Sequence, residues 1–205
     1  MDHSLRALLA DLYDDGTAHD AAEPDRLRRR RNLEPDAAAL LTLVLRIAAA
    51  REVVEIGTSN GYSAIWLADA VRDTGGRLTT VDVEEWSGVA DNLDRSGLAG
   101  LVRRALGDGG AVLAGLADAS VDLLFLDAER AEYAGWWPHP VRVLRPGGVL
   151  AVDNVLSHPD EVAEFLGLVE RHPGAVSETV AVGKGLFLAW LSSRNQEQPG
   201  YGATG

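Results

Sequence analysis

A chain of 205 residues, 46% hydrophobic and 24% charged, fits one α/β domain with a sizeable core and is too apolar for wholesale disorder. Its formal charge of −12 repels polyphosphate backbones and argues against general nucleic-acid binding, and the lack of cysteine excludes disulfides and thiolate metal sites. No apolar run reaches the ~18 residues that span a bilayer, and Met1 to Asp15 lacks the basic-then-apolar order of a secretion signal, so a cytoplasmic location and no membrane partner are expected.

Residues 1–50 read as a helical arm. Leu5, Leu8, Leu9 and Leu12 recur at helical spacing, and Asp14-Asp15-Gly16 reads as the end of that helix. Arg26, Arg28, Arg29, Arg30 and Arg31 form one basic cluster, read first as a solvated helix face. The sharper alternative is a wall that contacts substrate or a partner subunit. Pro35 suits the first turn of the next helix, with Glu34 a poor cap, ahead of the apolar run from Ala37 to Ala50.

From about residue 51 strands and helices alternate. Strands are expected at Val53–Ile56, Arg77–Val83, Leu101–Leu106, Val121–Leu126 and Val149–Val152. Helices are expected at Tyr62–Val71, Trp86–Ser96, from Asp108, at Ala131–Leu144 and at Glu161–Arg171, with Pro146-Gly147-Gly148 stopping the fourth of these. Val176–Val182 and Leu186–Leu191 read as a closing hairpin joined by Gly183-Lys184-Gly185. The tail, 192–205, is polar and Gly-rich and is expected to fray. This order predicts a Rossmann-like, doubly wound, mainly parallel seven-stranded sheet over 51–191, with an antiparallel hairpin at its end. Lys184 is the only lysine; with the high alanine and glycine content, that reads as coding bias.

Ligands of open α/β sheets bind beyond the carboxyl ends of the strands. Glycines at 57 and 61 in Glu55-Ile56-Gly57-Thr58-Ser59-Asn60-Gly61-Tyr62-Ser63 allow a sharp turn and close ligand approach. Neither the dinucleotide fingerprint G-x-G-x-x-G nor a phosphate loop is present, which counts against NAD and ATP. Asp82 closes the second strand and can accept from both ribose hydroxyls, or cap a helix. Asp108 faces an adenine amine or caps a helix. Asp127, with Asp153 and Asn154, puts two carboxylates and an amide on neighbouring strand ends. These are hard oxygen ligands suited to Mg2+ or Ca2+, and two such carboxylates repel unless a cation or proton intervenes.

The segment from about Asn32 to Trp190 resembles the class I O-methyltransferases of the catechol and caffeoyl-CoA type. The resemblance rests on Val54-Glu55-Ile56-Gly57-Thr58, Gly61-Tyr62-Ser63-Ala64, Thr80-Val81-Asp82, Phe125-Leu126-Asp127-Ala128-Glu129, Tyr133, Arg145-Pro146-Gly147-Gly148 and Asp153-Asn154-Val155-Leu156, in order. It implies a small-molecule substrate and S-adenosylmethionine as cofactor. Glu55, Gly57 and the loop Thr58, Ser59, Gly61, Tyr62, Ser63 would hold the methionine part, and Asp82 the ribose. It implies a divalent cation, Mg2+ or another, on Asp127, Asp153 and Asn154, chelating two vicinal oxygens of a catechol-like acceptor. Related enzymes often pair through the N-terminal arm, so a homodimer is expected.

The family pattern after the fourth strand reads Asp-Ala-Asp-Lys, with that lysine as general base. Here it is Asp127-Ala128-Glu129-Arg130. A guanidinium with a pKa above about 12 cannot be a base at neutral pH, though Arg130 could stabilise a phenolate. His158 and Tyr133 are the remaining candidate bases, and a surface-loop histidine is the plainer reading of His158. The short Leu156-Ser157-His158-Pro159 connection predicts a pocket that is open or closed by the N-terminal helices, with Trp136 and Trp137 as candidate lining and His139 as a helix-surface residue. Three functions follow: a metal-dependent O-methyltransferase, a metal-independent methyltransferase of the same fold, and a non-catalytic cofactor-binding protein.

Overall fold

The computed structural model describes residues 1–192, so all of the expected tail but Ser192 lies outside the described residues. Seven strands, β1 (Glu52–Ile56), β2 (Arg77–Asp82), β3 (Val102–Leu106), β4 (Val121–Leu126), β5 (Leu144–Val152), β6 (Ala175–Val180) and β7 (Leu186–Leu191), pair in the order β3-β2-β1-β4-β5-β7-β6. The first five are parallel, and β7 runs antiparallel to both β5 and β6. The expected hairpin is therefore present. Beyond β1 the chain moves outward to β2 and β3; with β4 it returns to the other side of β1. That reversal between β1 and β4 opens a crevice at their carboxyl ends.

Helices cover both faces, which is why β1 and β4 are nearly continuous apolar runs. One face carries α1 (His3–Ala22), α2 (Pro35–Ile47), α3 (Tyr62–Thr74) and α4 (Val89–Ser96), packed through Leu8, Leu41, Ile65 and Leu93. The other carries α5 (Gly109–Gly115), α6 (His139–Arg142) and α7 (Pro159–Glu170), with Leu113, Val141 and Phe165 in its core. Burying each such side chain contributes roughly 1.5–3 kcal/mol.

Three expected boundaries are corrected. Helix α1 does not stop at Gly16 but runs through it to Ala22. A Cβ on Gly16 would lie 2.3 Å from Nδ2 of Asn32, so glycine there admits the returning chain instead of ending the helix. The helix expected over Ala131–Leu144 is a 3₁₀ segment, Arg130–Trp136, followed by the single turn of α6. Pro138 and Pro140 each remove a backbone donor, which breaks continuous α-helix here. Finally, Arg145-Pro146-Gly147-Gly148 lies inside β5, where the pairing with β4 shifts register between Val121 and Leu123. The shift lets a Pro-Gly-Gly stretch sit within a strand that it would otherwise end.

Candidate active site

The site starts at the turn after β1. Gly57 has φ +110°, and a Cβ on it would stand 2.0 Å from the carbonyl oxygen of Asp127. No side chain fits there. The Gly57 N–H donates to Val81 O at 2.8 Å and the Asp127 N–H to Ile56 O at 2.9 Å, so the ends of β1, β2 and β4 are tied together. Asp82 then shapes the loop. Its Oδ2 accepts from the N–H groups of Thr58 at 3.0 Å and Ser59 at 2.9 Å, while Oδ1 takes only a long bond from Glu84 N–H at 3.4 Å.

A cavity of about 780 Å³ opens over this turn. Gly57, Thr58, Ser59, Ser63, Asp82 and Asp127 line it as expected. Glu55, Gly61 and Tyr62 do not; they lie behind its wall. Glu55 is fully buried, and Thr80 Oγ1 donates to its Oε2 at 2.6 Å, with the Thr58 hydroxyl a further 2.6 Å from that of Thr80. Burial pushes the Glu55 carboxyl up to about 8, against the opposing pull of hydrogen bonds from Ser63 and Thr80. Gly61 supplies the left-handed residue before α3 (φ +84°), and Tyr62 packs on Tyr13 with ring centroids 5.8 Å apart. Asp108 is the N-cap of α5, accepting from Ala111 N–H at 2.7 Å through Oδ1.

Beside the turn, the Asn154 amide Nδ2 donates to Asp127 Oδ1 at 3.2 Å and to Asp153 Oδ2 at 2.8 Å. The three expected metal-site residues are thus in one cluster. Asp153 Oδ1 is buried with no hydrogen-bond partner among the described residues. Burial raises Asp127 to about 6; burial and then the Asp127 charge raise Asp153 to about 8. No group of three His, Cys, Asp or Glu converges among the described residues; the third member here is an amide.

The candidate bases separate. His158 lines the cavity at the start of α7, with Nδ1 2.9 Å from the Ser157 hydroxyl. Arg130 also lines it but is only 4% exposed, and its Nε and Nη2 both reach Glu161 Oε2, at 2.9 and 2.8 Å. Tyr133 is not a base facing the cavity. It is fully buried against Trp136 and Phe165, its hydroxyl accepts from Ala128 N–H at 2.7 Å, and burial pushes its acidity far from neutral pH. Tyr133→Phe is expected to cost about 1–3 kcal/mol in thermal unfolding, because one buried N–H loses its acceptor. Methyl transfer by the folded variant should stay within about threefold of the parent; a drop of ~100-fold would restore Tyr133 as an acid–base group.

The basic cluster combines its two readings: it lines the cavity, and Arg26 and Arg31 each reach Glu129 at 2.8 Å, while Arg26 and Arg28 stay half or more exposed to solvent. Two contributors escaped the sequence reading. Trp86 lines the Asp82 end with an indole N–H that has no partner among the described residues. Lys184, on the β6–β7 turn, lines the Asn154 end. Trp136 lines the cavity and packs on Gly109 and Gly110, whereas Trp137 meets His172 with ring centroids 6.0 Å apart. His139 Nδ1 accepts from Arg142 Nε at 3.1 Å.

These features define a class: a cofactor-binding α/β domain with a glycine turn and a paired-carboxylate cluster in one crevice. The chain belongs to the O-methyltransferase family, whose model matches residues 17–169. A Mycolicibacterium vanbaalenii protein named "Putative O-methyltransferase" is 41% identical over 123 residues, 58% of this chain and 54% of that relative. The chain thus spans about half the length of the curated relatives it matches. The Bacillus cereus O-methyltransferase solved in complex with S-adenosylhomocysteine shares the fold, with TM-score 0.76 at 24% identity over 91% of each chain. The O-methyltransferase TomG from Streptomyces achromogenes, involved in tomaymycin synthesis and solved with S-adenosylmethionine, superposes with TM-score 0.72 at 26% identity, covering 94% of this chain and 91% of its own. No helix of the described residues is long and apolar enough to cross a membrane.

Proposed function

We propose that this protein is an S-adenosylmethionine-dependent O-methyltransferase that methylates a hydroxyl of a small catechol-like acceptor, aided by a divalent cation. The observation that carries the reading is one crevice lined by both the glycine turn and the Asp127–Asn154 cluster. The cofactor end fits the group it would hold. The Gly57 turn leaves room for close approach, Asp82 Oδ1 keeps acceptor capacity for a ribose, and the Trp86 indole N–H awaits an acceptor. The cluster fits a hard cation. Asp127, Asp153 and Asn154 would hold it, and the unpartnered Asp153 Oδ1 and the mutual repulsion of two buried carboxylates both favour a cation there. When bound, the cation would supply positive charge that lowers the pKa of an acceptor hydroxyl.

The protein's own contribution is placement. The loop pinned by Asp82 orients the donor, and the Arg26–Glu129 pair borders the cavity. His158 lines the acceptor end and is the candidate to take the hydroxyl proton. Exposed Leu43 and Ile47 on α2 support extending the proposal to a homodimer.

The test follows a labelled methyl group from S-adenosylmethionine to catechols and monophenols, with Mg2+ and with EDTA. Transfer to catechols that EDTA abolishes, and that falls at least ~100-fold in Asp153→Ala, is the expected result. Transfer that survives EDTA overturns the metal part and leaves a metal-independent methyltransferase. Tight cofactor binding with no transfer to any acceptor overturns the enzyme reading.

A further inference from the structure

Lys184 is the one lysine of a chain with eighteen arginines, and it lines the acceptor end of the cavity. Its turn is rigidly seated. Gly183 and Gly185 hold left-handed backbone, φ +53° and +94°. A Cβ on Gly183 would meet Glu34 Cβ at 2.7 Å, and one on Gly185 would meet Leu156 Cγ at 2.5 Å. The Lys184 carbonyl accepts from Leu156 N–H at 3.0 Å and Ser157 N–H at 3.2 Å, and the Gly183 N–H donates to Asp36 at 3.1 Å. The turn is thus wedged between the start of α2 and the segment that follows Asn154.

The side chain is held as firmly. Nζ lies 2.9 Å from Glu34 Oε1, and the other Glu34 oxygen accepts from the Tyr13 hydroxyl. These two donors keep the Glu34 carboxylate ionised against its burial, so its charge faces the ammonium. An ammonium has three N–H donors, and the pair with Glu34 uses one. The remaining donors are available to the cavity, since the side chain is 44% exposed and its residue forms the cavity wall. Arg130, three residues after Asp127 in the chain, is almost wholly buried and pairs with Glu161 through Nε and Nη2. Arg26 and Arg31 are engaged by Glu129.

We propose that Lys184 is a catalytic residue for the methyl transfer described above: its ammonium donates to the acceptor oxygen and stabilises the negative charge that this oxygen carries as it attacks. The inference rests on the proposed activity. In the step, the hydroxyl proton leaves to His158, the oxygen lone pair forms the bond to the methyl carbon, and the carbon–sulfur electron pair stays on sulfur. Lys184 gains and loses no proton. It acts as a fixed charge, worth most where oxygen is most negative.

Lys184→Met keeps the stem length and removes the charge, and Lys184→Arg restores a cation. For weakly acidic catechols, the Met variant is expected to lower kcat by ~10- to ~100-fold with acceptor KM changed less than about threefold. The loss should shrink below about threefold for nitro-substituted catechols, whose oxygens ionise unaided, and Lys184→Arg should recover part of it. A merely structural role would not follow acceptor acidity. A loss equal across all acceptors, a change in KM alone, or a Met variant as fast as the parent overturns the assignment. A parent chain that binds the cofactor but methylates no acceptor overturns the proposed function and this inference together. A parent that methylates while Lys184→Met does so equally well overturns the inference alone.

Discussion

Gly57→Ala is expected to weaken S-adenosylmethionine binding by more than ~100-fold, read by titration calorimetry. Two separate effects act at this residue. The backbone there has φ +110°, which costs an L-side chain of order 1–3 kcal/mol. The added methyl group would also stand 2.0 Å from the Asp127 carbonyl oxygen, and that atom cannot move freely, because the Asp127 N–H is bonded to Ile56 O. Either β1 and β4 part at their ends or the turn lifts into the crevice, and both displace the loop that Asp82 holds. A hundredfold loss corresponds to about 2.7 kcal/mol, within reach of either effect. Gly97→Ala is the control. Gly97 also has positive φ (+70°), but a Cβ there meets nothing within 4 Å, so strain is present without the collision. It should lower stability slightly and bind cofactor as the parent does. Binding by Gly57→Ala within tenfold of the parent would mean that the turn does not carry the donor.

The same turn shows why this part of the site could be read from sequence. An apolar strand that ends in glycine, and apolar strands that end in an acid at Asp82, Asp127 and Asp153, put chemistry where an open parallel sheet must place it. Period and punctuation suffice for that. They fail where the deciding partner is distant. Arg26 and Glu129 are 103 residues apart, so five arginines within six positions read first as a solvated face, and only folding shows that Glu129 pairs with two of them. Lys184 is equally opaque, because the hairpin was legible but its seat against Glu34 and Leu156 was not. Tyr133 fails differently. One residue either way along a 3₁₀ segment decides whether a hydroxyl faces the cavity or the backbone N–H of Ala128, and the segment itself was expected as α-helix. Glu55 also illustrates the limit. Its position in the motif marks the crevice, yet the carboxyl points behind the wall, where Thr80 and not a ligand meets it.

That buried carboxyl makes stability depend on pH. In the unfolded chain Glu55 titrates near its ordinary value of 4.5, but in the folded protein burial raises it to about 8. The folded state therefore holds the proton more tightly. Stability from this group is fully present below about pH 4.5, declines as pH rises, and is lost once pH passes about 8. A difference of this size is on the order of 5 kcal/mol for a fully buried group, a large share of a domain's total stability. Glu55→Gln holds the site neutral at every pH while leaving an oxygen to accept from the Thr80 hydroxyl. Urea unfolding of the parent and of Glu55→Gln from pH 5 to pH 9 should give curves that converge at the acid end and separate toward the alkaline end, with the variant the more stable at pH 9. Raised values at Asp127 and Asp153 slope the same way and are common to both proteins, so the difference between the curves isolates Glu55. Parallel curves would show that the Glu55 carboxyl is ionised and compensated in the folded protein, and the crevice would then rest on a buried charge instead of a buried acid.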